Sequence, residues 1–421
     1  MSLMAAEAEG LDERTLAAAR RRSRWTLFLG VALGSTGHIA ALTVATIVGQ
    51  DLLGSPALAG APGATVVLGA AAGAISLSSL MARRGRRQGL AAGYAIGVVG
   101  ALIATASVLS RSFPLLLLGT FLIGFGNSSN LLSRYAAADL VAPQRRASAI
   151  GLVVWGSTVG GIVGPWLVPV SGSIATSAGL PTLAGPYLVP VVTVGLAALM
   201  SFLLLRPDPF ALAHHSTVRQ AHHPDAAPVT TILRRPTVLA AIVALIAGQF
   251  TMVLIMTMTP LHMTAHGHGL EIVGVVLSAH IAGMYALAPI SGRLTERLGS
   301  VTTIFLGTAV LVTASLMAAL APPEGGNILL VALFLLGFGW NLGFVAGSAM
   351  LSTGLELSER TRLQGFVDAL IWSTSAVASL GSGVIVATAG YTGLGILGAL
   401  LVIFPIWVVA SRRRAITSLA A

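Results

Sequence analysis

Apolar residues run in long blocks near 25 to 49, 60 to 82, 89 to 109, 114 to 135, 147 to 169 and 187 to 205, and again near 237 to 260, 270 to 290, 302 to 321, 327 to 351, 364 to 389 and 393 to 410. Each block is close to the roughly 20 residues with which an α-helix crosses a hydrocarbon core of about 30 Å. The pattern predicts an all-α membrane protein with twelve transmembrane helices. One long polar stretch interrupts it. That stretch holds Arg206, Pro207, Asp208, Pro209, the pairs His214-His215 and His222-His223, and Arg234-Arg235-Pro236, a composition expected of a solvated linker. The expected layout is a tail over 1–24, a six-helix bundle over 25–205, the linker over 206–236, a second six-helix bundle over 237–410 and a tail over 411–421.

Composition narrows the class of protein. With 55% hydrophobic and 9% charged residues among 421, the chain is far from the roughly one quarter charged of a soluble domain, which excludes a soluble enzyme or a disordered chain. Cysteine is absent, so disulfides and thiolate metal ligands are excluded. The formal charge of +10 does not point to nucleic acid, because all 24 basic residues are Arg and all but Arg134 lie outside the apolar blocks. If the N-terminus is cytoplasmic, the inside receives Arg20, Arg21, Arg22 and Arg24, then Arg83, Arg84, Arg86 and Arg87, then Arg145 and Arg146, the linker, Arg293 and Arg297, Arg360 and Arg362, and Arg412 to Arg414. Only Arg111 falls on an outer loop, so both termini are expected inside. The first block follows an arginine cluster as a signal peptide would, but it is too long and lacks a small-residue cleavage site, so it is expected to be retained.

The halves repeat. Ile123-Gly124-Phe125-Gly126 in span 4 matches Leu336-Gly337-Phe338-Gly339 in span 10, and Arg83-Arg84-Gly85-Arg86-Arg87 after span 2 echoes Gly292-Arg-Leu-Thr-Glu296-Arg297-Leu-Gly299 after span 8. A parallel duplication of six spans follows. Gly292-x-x-x-Glu296-Arg297-x-Gly299 is similar to the signature loop of the major facilitator superfamily, and the resemblance covers the whole chain. The first-half loop departs from that pattern, with Ala82 where the family usually has an acid and Ser78 where it has Gly. The resemblance implies the major facilitator fold, two pseudo-symmetric six-helix bundles that alternate access by rocking, with Gly292, Glu296 and Arg297 at the gate.

Ionisable and polar residues within the membrane are costly and mark functional positions. Span 7 carries Met252-x-x-x-Met256 and span 8 carries His280-x-x-x-Met284. A spacing of i, i+4 stacks two side chains on one helix face about 6 Å apart. Counted from the outer helix ends, Met252 and His280 both lie about 12 to 15 Å down, near the midplane where such transporters bind substrate. Thioether and neutral imidazole suit a soft cation such as Cu(I), whereas Zn or Mn sites recruit carboxylates, thiolates or several imidazoles. The competing reading is packing, since Met is a common filler of apolar helices.

The motif pair, with the surrounding Met258-Thr-Pro260-Leu-His262-Met263 and Ala279-His280-Ile-Ala-Gly-Met284-Tyr285, resembles the CcoA-like (CalT-type) bacterial copper importers, a major facilitator subgroup. That resemblance implies a multi-pass protein of the bacterial inner membrane with copper as transported substrate rather than cofactor. It also implies Met252, Met256, His280 and Met284 as ligands, a cytoplasmic copper chaperone as recipient, and a role in assembly of cbb-type cytochrome oxidase.

Other polar groups extend this picture. His262, Met263, His266 and His268, beside Glu271, could collect metal at the outer mouth or form an ordinary solvated loop. The linker histidine pairs could bind metal inside. His38 lies at roughly the repeat offset of 214 residues from Met252 and is expected to face it across the cavity as a further ligand. Arg134 and Asp368 are the better placed candidates for proton coupling, since Asp51 and Asp139 sit near span ends. The alternative function is a proton-coupled antiporter exporting a drug or small organic metabolite. It rests on Gly151, Gly160 and Gly164-Pro165 in span 5, which resemble the glycine motif of drug:proton antiporters but lack its trailing Gly-Gly. No His-Glu-x-x-His run and no serine paired with a deep histidine recommends an enzyme.

Overall fold

The computed structural model describes residues 12–53, 61–215, 229–268, 270–322, 326–353, 355 and 357–411, and among them it contains helices and no strand. Span 1 is Glu13–Leu53, span 2 Ala61–Arg84, span 3 Arg86–Leu109, span 4 Phe113–Asp139, span 5 Arg146–Ser177 and span 6 Gly185–Leu204. Span 7 is Pro236–Ala265, span 8 is built from Leu270–Tyr285 and Ala288–Leu298, span 9 is Ser300–Leu320 and span 10 is Gly326–Met350. Eleven helical segments of the described residues are long and apolar enough to cross a membrane. The last helix, Leu357–Ser411, has 55 residues, a length of roughly 80 Å that exceeds any single crossing. Gly390 breaks it with φ 68° and ψ −179°, a conformation open to glycine, and so divides it into spans 11 and 12.

Several boundaries differ from the hydropathy reading for one reason: hydropathy marks the membrane crossing and not the helix. Span 1 starts at Glu13 rather than near 25, so the first arginine cluster is helical. Asp12 caps it by accepting the Thr15 amide at 3.1 Å, and hydrogen bonds from the Thr15 side chain and then its amide hold its carboxyl below the usual range. The two signature segments are not loops. Arg83 and Arg84 end span 2, Arg86 begins span 3, and Gly85 alone connects them. Gly299 does the same between spans 8 and 9. Both glycines have positive φ, 91° and 84°, with ψ near 166° and 154°, a region essentially closed to other residues.

The repeated glycine motifs have a packing cause. A Cβ on Gly124 would lie 2.0 Å from the Val66 carbonyl oxygen of span 2, and one on Gly126 would lie 2.5 Å from Gly97 of span 3. In the second half Gly337 would meet the His280 carbonyl of span 8 at 2.3 Å and Gly339 the Gly307 carbonyl of span 9 at 2.9 Å. Spans 4 and 10 each pack backbone to backbone between the second and third spans of their own half, the close approach that small residues permit in membranes.

The chain forms two compact units, which exchange two segments relative to the sequence halves. The first comprises Met1–Ala142, Gly156–Ala226 and Glu356–Trp372, and the second Pro143–Trp155, Ala227–Leu355 and Ser373–Ala421. The start of span 11 thus packs within the first unit, where a Cβ on Gly365 would overlap Ser78 of span 2. The start of span 5 packs within the second, where Gly151 and Gly292 leave room for the backbone carbonyls of Ala288 and Ala147.

The first part of the polar linker is not solvated. Pro209–His215 is a short helix whose Phe210, Ala211, Leu212 and Ala213 are buried within the first unit. Asp208 anchors it, accepting the amides of Arg86 and Arg87 at 3.0 Å each and that of Phe210 at 2.8 Å. Burial pushes its carboxyl above the usual carboxylate range against the pull of those three amides. Asp208 also crowds Gly85, where a Cβ would stand 2.4 Å from Oδ2, whereas at Gly299 it would meet nothing within 4 Å. Gly85→Ala is therefore expected to destabilise the protein by about 2–4 kcal/mol and Gly299→Ala by about 1–2 kcal/mol, backbone strain being common to both. Thermal unfolding in detergent measures the difference, and equal losses would mean that Asp208 yields freely.

Candidate functional site

In the second unit, span 10 is the common partner of spans 7 and 8, which touch each other far less than they touch it. His280 is buried on the side of span 8 that meets span 10, with Nδ1 2.9 Å from the Leu333 carbonyl oxygen. A carbonyl only accepts, so Nδ1 carries the hydrogen and Nε2 holds the lone pair. Nε2 is buried and has no partner among the described residues. A neutral imidazole fixed through one nitrogen with the other free is the arrangement of a metal-ligating histidine. Met284, one turn on, is also buried, and its carbonyl accepts from Asn341 Nδ2 at 2.6 Å. Met252 is buried and Met256 partly so. Spans 7 and 8 are not the neighbours that a ladder across them requires, because span 10 takes the packing surface of both.

A second polar cluster in this unit went unread in the sequence. Gln249 accepts from Trp340 Nε1 at 2.7 Å and donates to Ser375 at 2.9 Å. The Trp340 ring stacks on Phe344 at 4.5 Å and meets Tyr285 edge to face at 6.0 Å. Glutamine and tryptophan inside apolar blocks were the available signal, but span membership does not reveal which of them meet.

The metal-capture group does not assemble. His262 stacks on Tyr391 at 4.1 Å and 10°, His266 Nδ1 lies 2.7 Å from the His262 carbonyl, and Met263 is fully buried. Among the described residues no group of three or more His, Asp or Glu side chains is placed to hold a metal ion. His262, in the last turn of span 7, packs on an aromatic ring, and His266 packs on the backbone of that turn. His222-His223 lie outside the described residues.

In the first unit, His38 lines a small cavity with Gly34, Tyr94, Asn127, Asn130 and Pro190. Tyr94 donates to Asn130 at 2.9 Å and Asn130 to Asn127 at 2.8 Å, while His38 Nδ1 is buried without a partner among the described residues. Two ion clusters lie closer to the arginine-rich end. Arg134 of span 4 pairs with Asp368 of span 11 at 2.5 Å and donates to Tyr135 at 2.9 Å. Asp139, although it sits near a span end, is fully buried between Arg86, at 2.9 Å, and Arg360. Arg86 also donates to Gln364 of span 11 at 3.2 Å. Although Ala82 replaces the expected acid, the first-half connection is thus held by charge from Asp139 and Asp208. Asp51 pairs with Arg111 in the open at 3.4 Å.

The second-half connection uses its acid differently. Glu296 accepts the Ser148 amide at 2.8 Å in the first turn of span 5, as an acidic side chain does at a helix N-terminus, while Gly292 is buried and Arg297 exposed.

Two sets of six apolar spans with repeated glycine contacts and paired single-glycine connections define a helical membrane transporter. The chain belongs to the Major Facilitator Superfamily, whose family model matches residues 26–354. It is 36% identical over 397 residues to the uncharacterized MFS-type transporter YdeG of Bacillus subtilis (strain 168), covering 93% of this chain and 92% of that one. It is 32% identical over 396 residues to the riboflavin transporter RfnT of Brucella anthropi, covering 93% and 94%. Its fold matches the crystal structure of the human organic anion transporter MFSD10 (TETRAN) with a TM-score of 0.71 at 17% identity, covering 92% of this chain and 99% of that one. The protein is a secondary transporter and not an enzyme.

Proposed function

We propose that this transporter moves copper, as Cu(I), into the cytoplasm of a bacterial cell, with His280 and Met284 of span 8 as ligands at one step of the path and Met252 and Met256 of span 7 as soft sulfur donors at another. The single observation that carries the reading is the buried, unpartnered Nε2 of His280, its tautomer set by the Leu333 carbonyl. Neutral ligands leave the cation's charge uncompensated, which favours a transit site over a storage site. On this reading the termini are cytoplasmic, the membrane is the bacterial inner membrane, and a cytoplasmic copper chaperone receives the ion for cbb-type oxidase assembly. His38 lines its own small cavity in the first unit and is not one of these ligands.

A second reading has its own support. The relative RfnT is a riboflavin transporter, and riboflavin presents a flat heteroaromatic ring with amide-like edges. Trp340, Phe344 and Tyr285 with Gln249 offer stacking faces and an amide within one unit. Proteoliposomes containing the purified protein distinguish the two. Uptake of radiolabelled copper under ascorbate is expected to saturate and to be inhibited by Ag(I), a soft cation of the same charge. Saturable riboflavin uptake with no copper uptake would overturn the copper reading and install the second.

A further inference from the structure

We propose that the arginine-rich end of the first unit holds an anionic phospholipid, its phosphate bound between spans 3 and 6 by Arg87 and Arg206 beside the ring of Phe202. Every residue involved belongs to the first unit, so the site is independent of which substrate is carried. Arg87 is the second residue of span 3, and Arg206 follows the end of span 6 by two residues. Both guanidinium groups lie over one ring, 5.7 and 5.8 Å from the centre of Phe202. Like charges gathered on one ring repel each other, and the ring face offsets only part of that repulsion. Arg22 of span 1 brings a third positive charge to the same end, since its guanidinium donates to the Arg206 carbonyl.

Among the described residues no carboxylate pairs with Arg87, Arg206 or Arg22. Asp208 is close but is engaged by backbone: Oδ1 accepts the Arg86 and Phe210 amides and Oδ2 the Arg87 amide. Nε and Nη1 of Arg87 are buried with no partner among the described residues, which leaves Nη2 as its outlet. A guanidinium that has lost water from two of its three nitrogens calls for a counter-charge at the third. Phosphate suits that role, because guanidinium groups bind its oxygens through paired, charge-assisted hydrogen bonds. The neighbouring surface selects a lipid as its carrier. From Phe202, itself half exposed, Leu203, Leu199, Leu196 and Val192 continue an exposed apolar stripe along span 6, the face that an acyl chain covers in a bilayer. The stripe ends where the apolar block gives way to arginine, which is the depth of a headgroup. A soluble phosphate would use the arginines and leave the stripe unused. A zwitterionic headgroup carries its own cation toward three arginines, so an anionic one such as phosphatidylglycerol is preferred.

Native mass spectrometry of the full-length protein in detergent micelles, titrated with phosphatidylglycerol, tests the site. One molecule is expected to bind ahead of the non-specific series, about tenfold more tightly than phosphatidylethanolamine. Arg87→Gln and Arg206→Gln should each weaken that binding about tenfold. Arg84→Gln removes the same charge from an exposed position at the end of span 2 and should change it by less than about twofold. If Arg87→Gln folds poorly, Arg206→Gln decides alone, since Arg206 is exposed. Inorganic phosphate in the millimolar range is expected to leave the lipid bound; displacement by it would assign the arginines to a soluble phosphate and overturn the lipid site. Equal binding of phosphatidylethanolamine, or a loss at Arg84 as large as at Arg206, would reduce the effect to general surface charge and overturn the proposal as well.

Discussion

Replacing His280 by Asn is expected to abolish saturable copper uptake, a loss of about a hundredfold in apparent affinity or more, while the protein still inserts and unfolds at nearly its normal temperature. The Asn side-chain amide can reach the Leu333 carbonyl that His280 Nδ1 engages at 2.9 Å, so the packing bond has a replacement. Nothing replaces the Nε2 lone pair. Met252→Ala and Met284→Ala should lower uptake by about tenfold, and Met→Cys at each position should lower it less, since a soft sulfur remains. Met258→Ala, off the Met252–Met256 face, is the control. If His280→Asn imports copper normally, or if Met258→Ala costs as much as Met252→Ala, the residues serve packing and the copper assignment fails.

Asp139→Ala is expected to produce the largest loss of stability of any single change in the ion clusters, about 3–5 kcal/mol. Its carboxylate is wholly buried and shared by Arg86 and Arg360. Removing it leaves two desolvated guanidinium groups facing each other with Gln364 as a neutral partner. Asp51→Ala breaks the exposed pair with Arg111 and should change stability by less than about 1 kcal/mol, since an exposed pair is solvated and screened. Chemical unfolding in detergent micelles compares the two. Adding Arg360→Met to Asp139→Ala should recover part of the loss, because one uncompensated charge goes with it. A cost near that of Asp51→Ala would mean that water reaches the cluster and that it does not hold span 11 in place.

Much of the fold was legible in the chain. The apolar blocks located the spans, and Ile123-Gly124-Phe125-Gly126 with Leu336-Gly337-Phe338-Gly339 revealed the duplication, which the close packing of Gly124 and Gly337 on spans 2 and 8 explains. Helix ends were less legible. Span 1 runs on to Glu13 and the signature connection shrinks to Gly85, because polar residues continue a helix beyond the membrane without any hydropathy signal. Of the chemistry, charge within an apolar block picked out Arg134 and Asp368, and the motif spacing picked out His280. It placed spans 7 and 8 side by side, whereas span 10 is the neighbour of both. It also left His262 and Met263 between metal capture and an ordinary solvated loop, whereas one stacks on Tyr391 and the other is buried.

The sequence by itself determined that this is a helical membrane protein of two repeated halves, since transfer into a bilayer is a property each side chain contributes locally and a sum over about 20 residues decides it. Only the tertiary structure decided what the buried polar groups do, since that depends on helix rotation and on partners far apart in the chain. Asp139 finds Arg360 across 221 residues, Asp208 leaves a polar linker to cap span 3, and one nitrogen of His280 is taken by a carbonyl of span 10 while the other stays free. Each group must meet its partner within about 3 Å to offset the cost of leaving water, and a one-residue turn of any helix, about 100°, would remove it from reach.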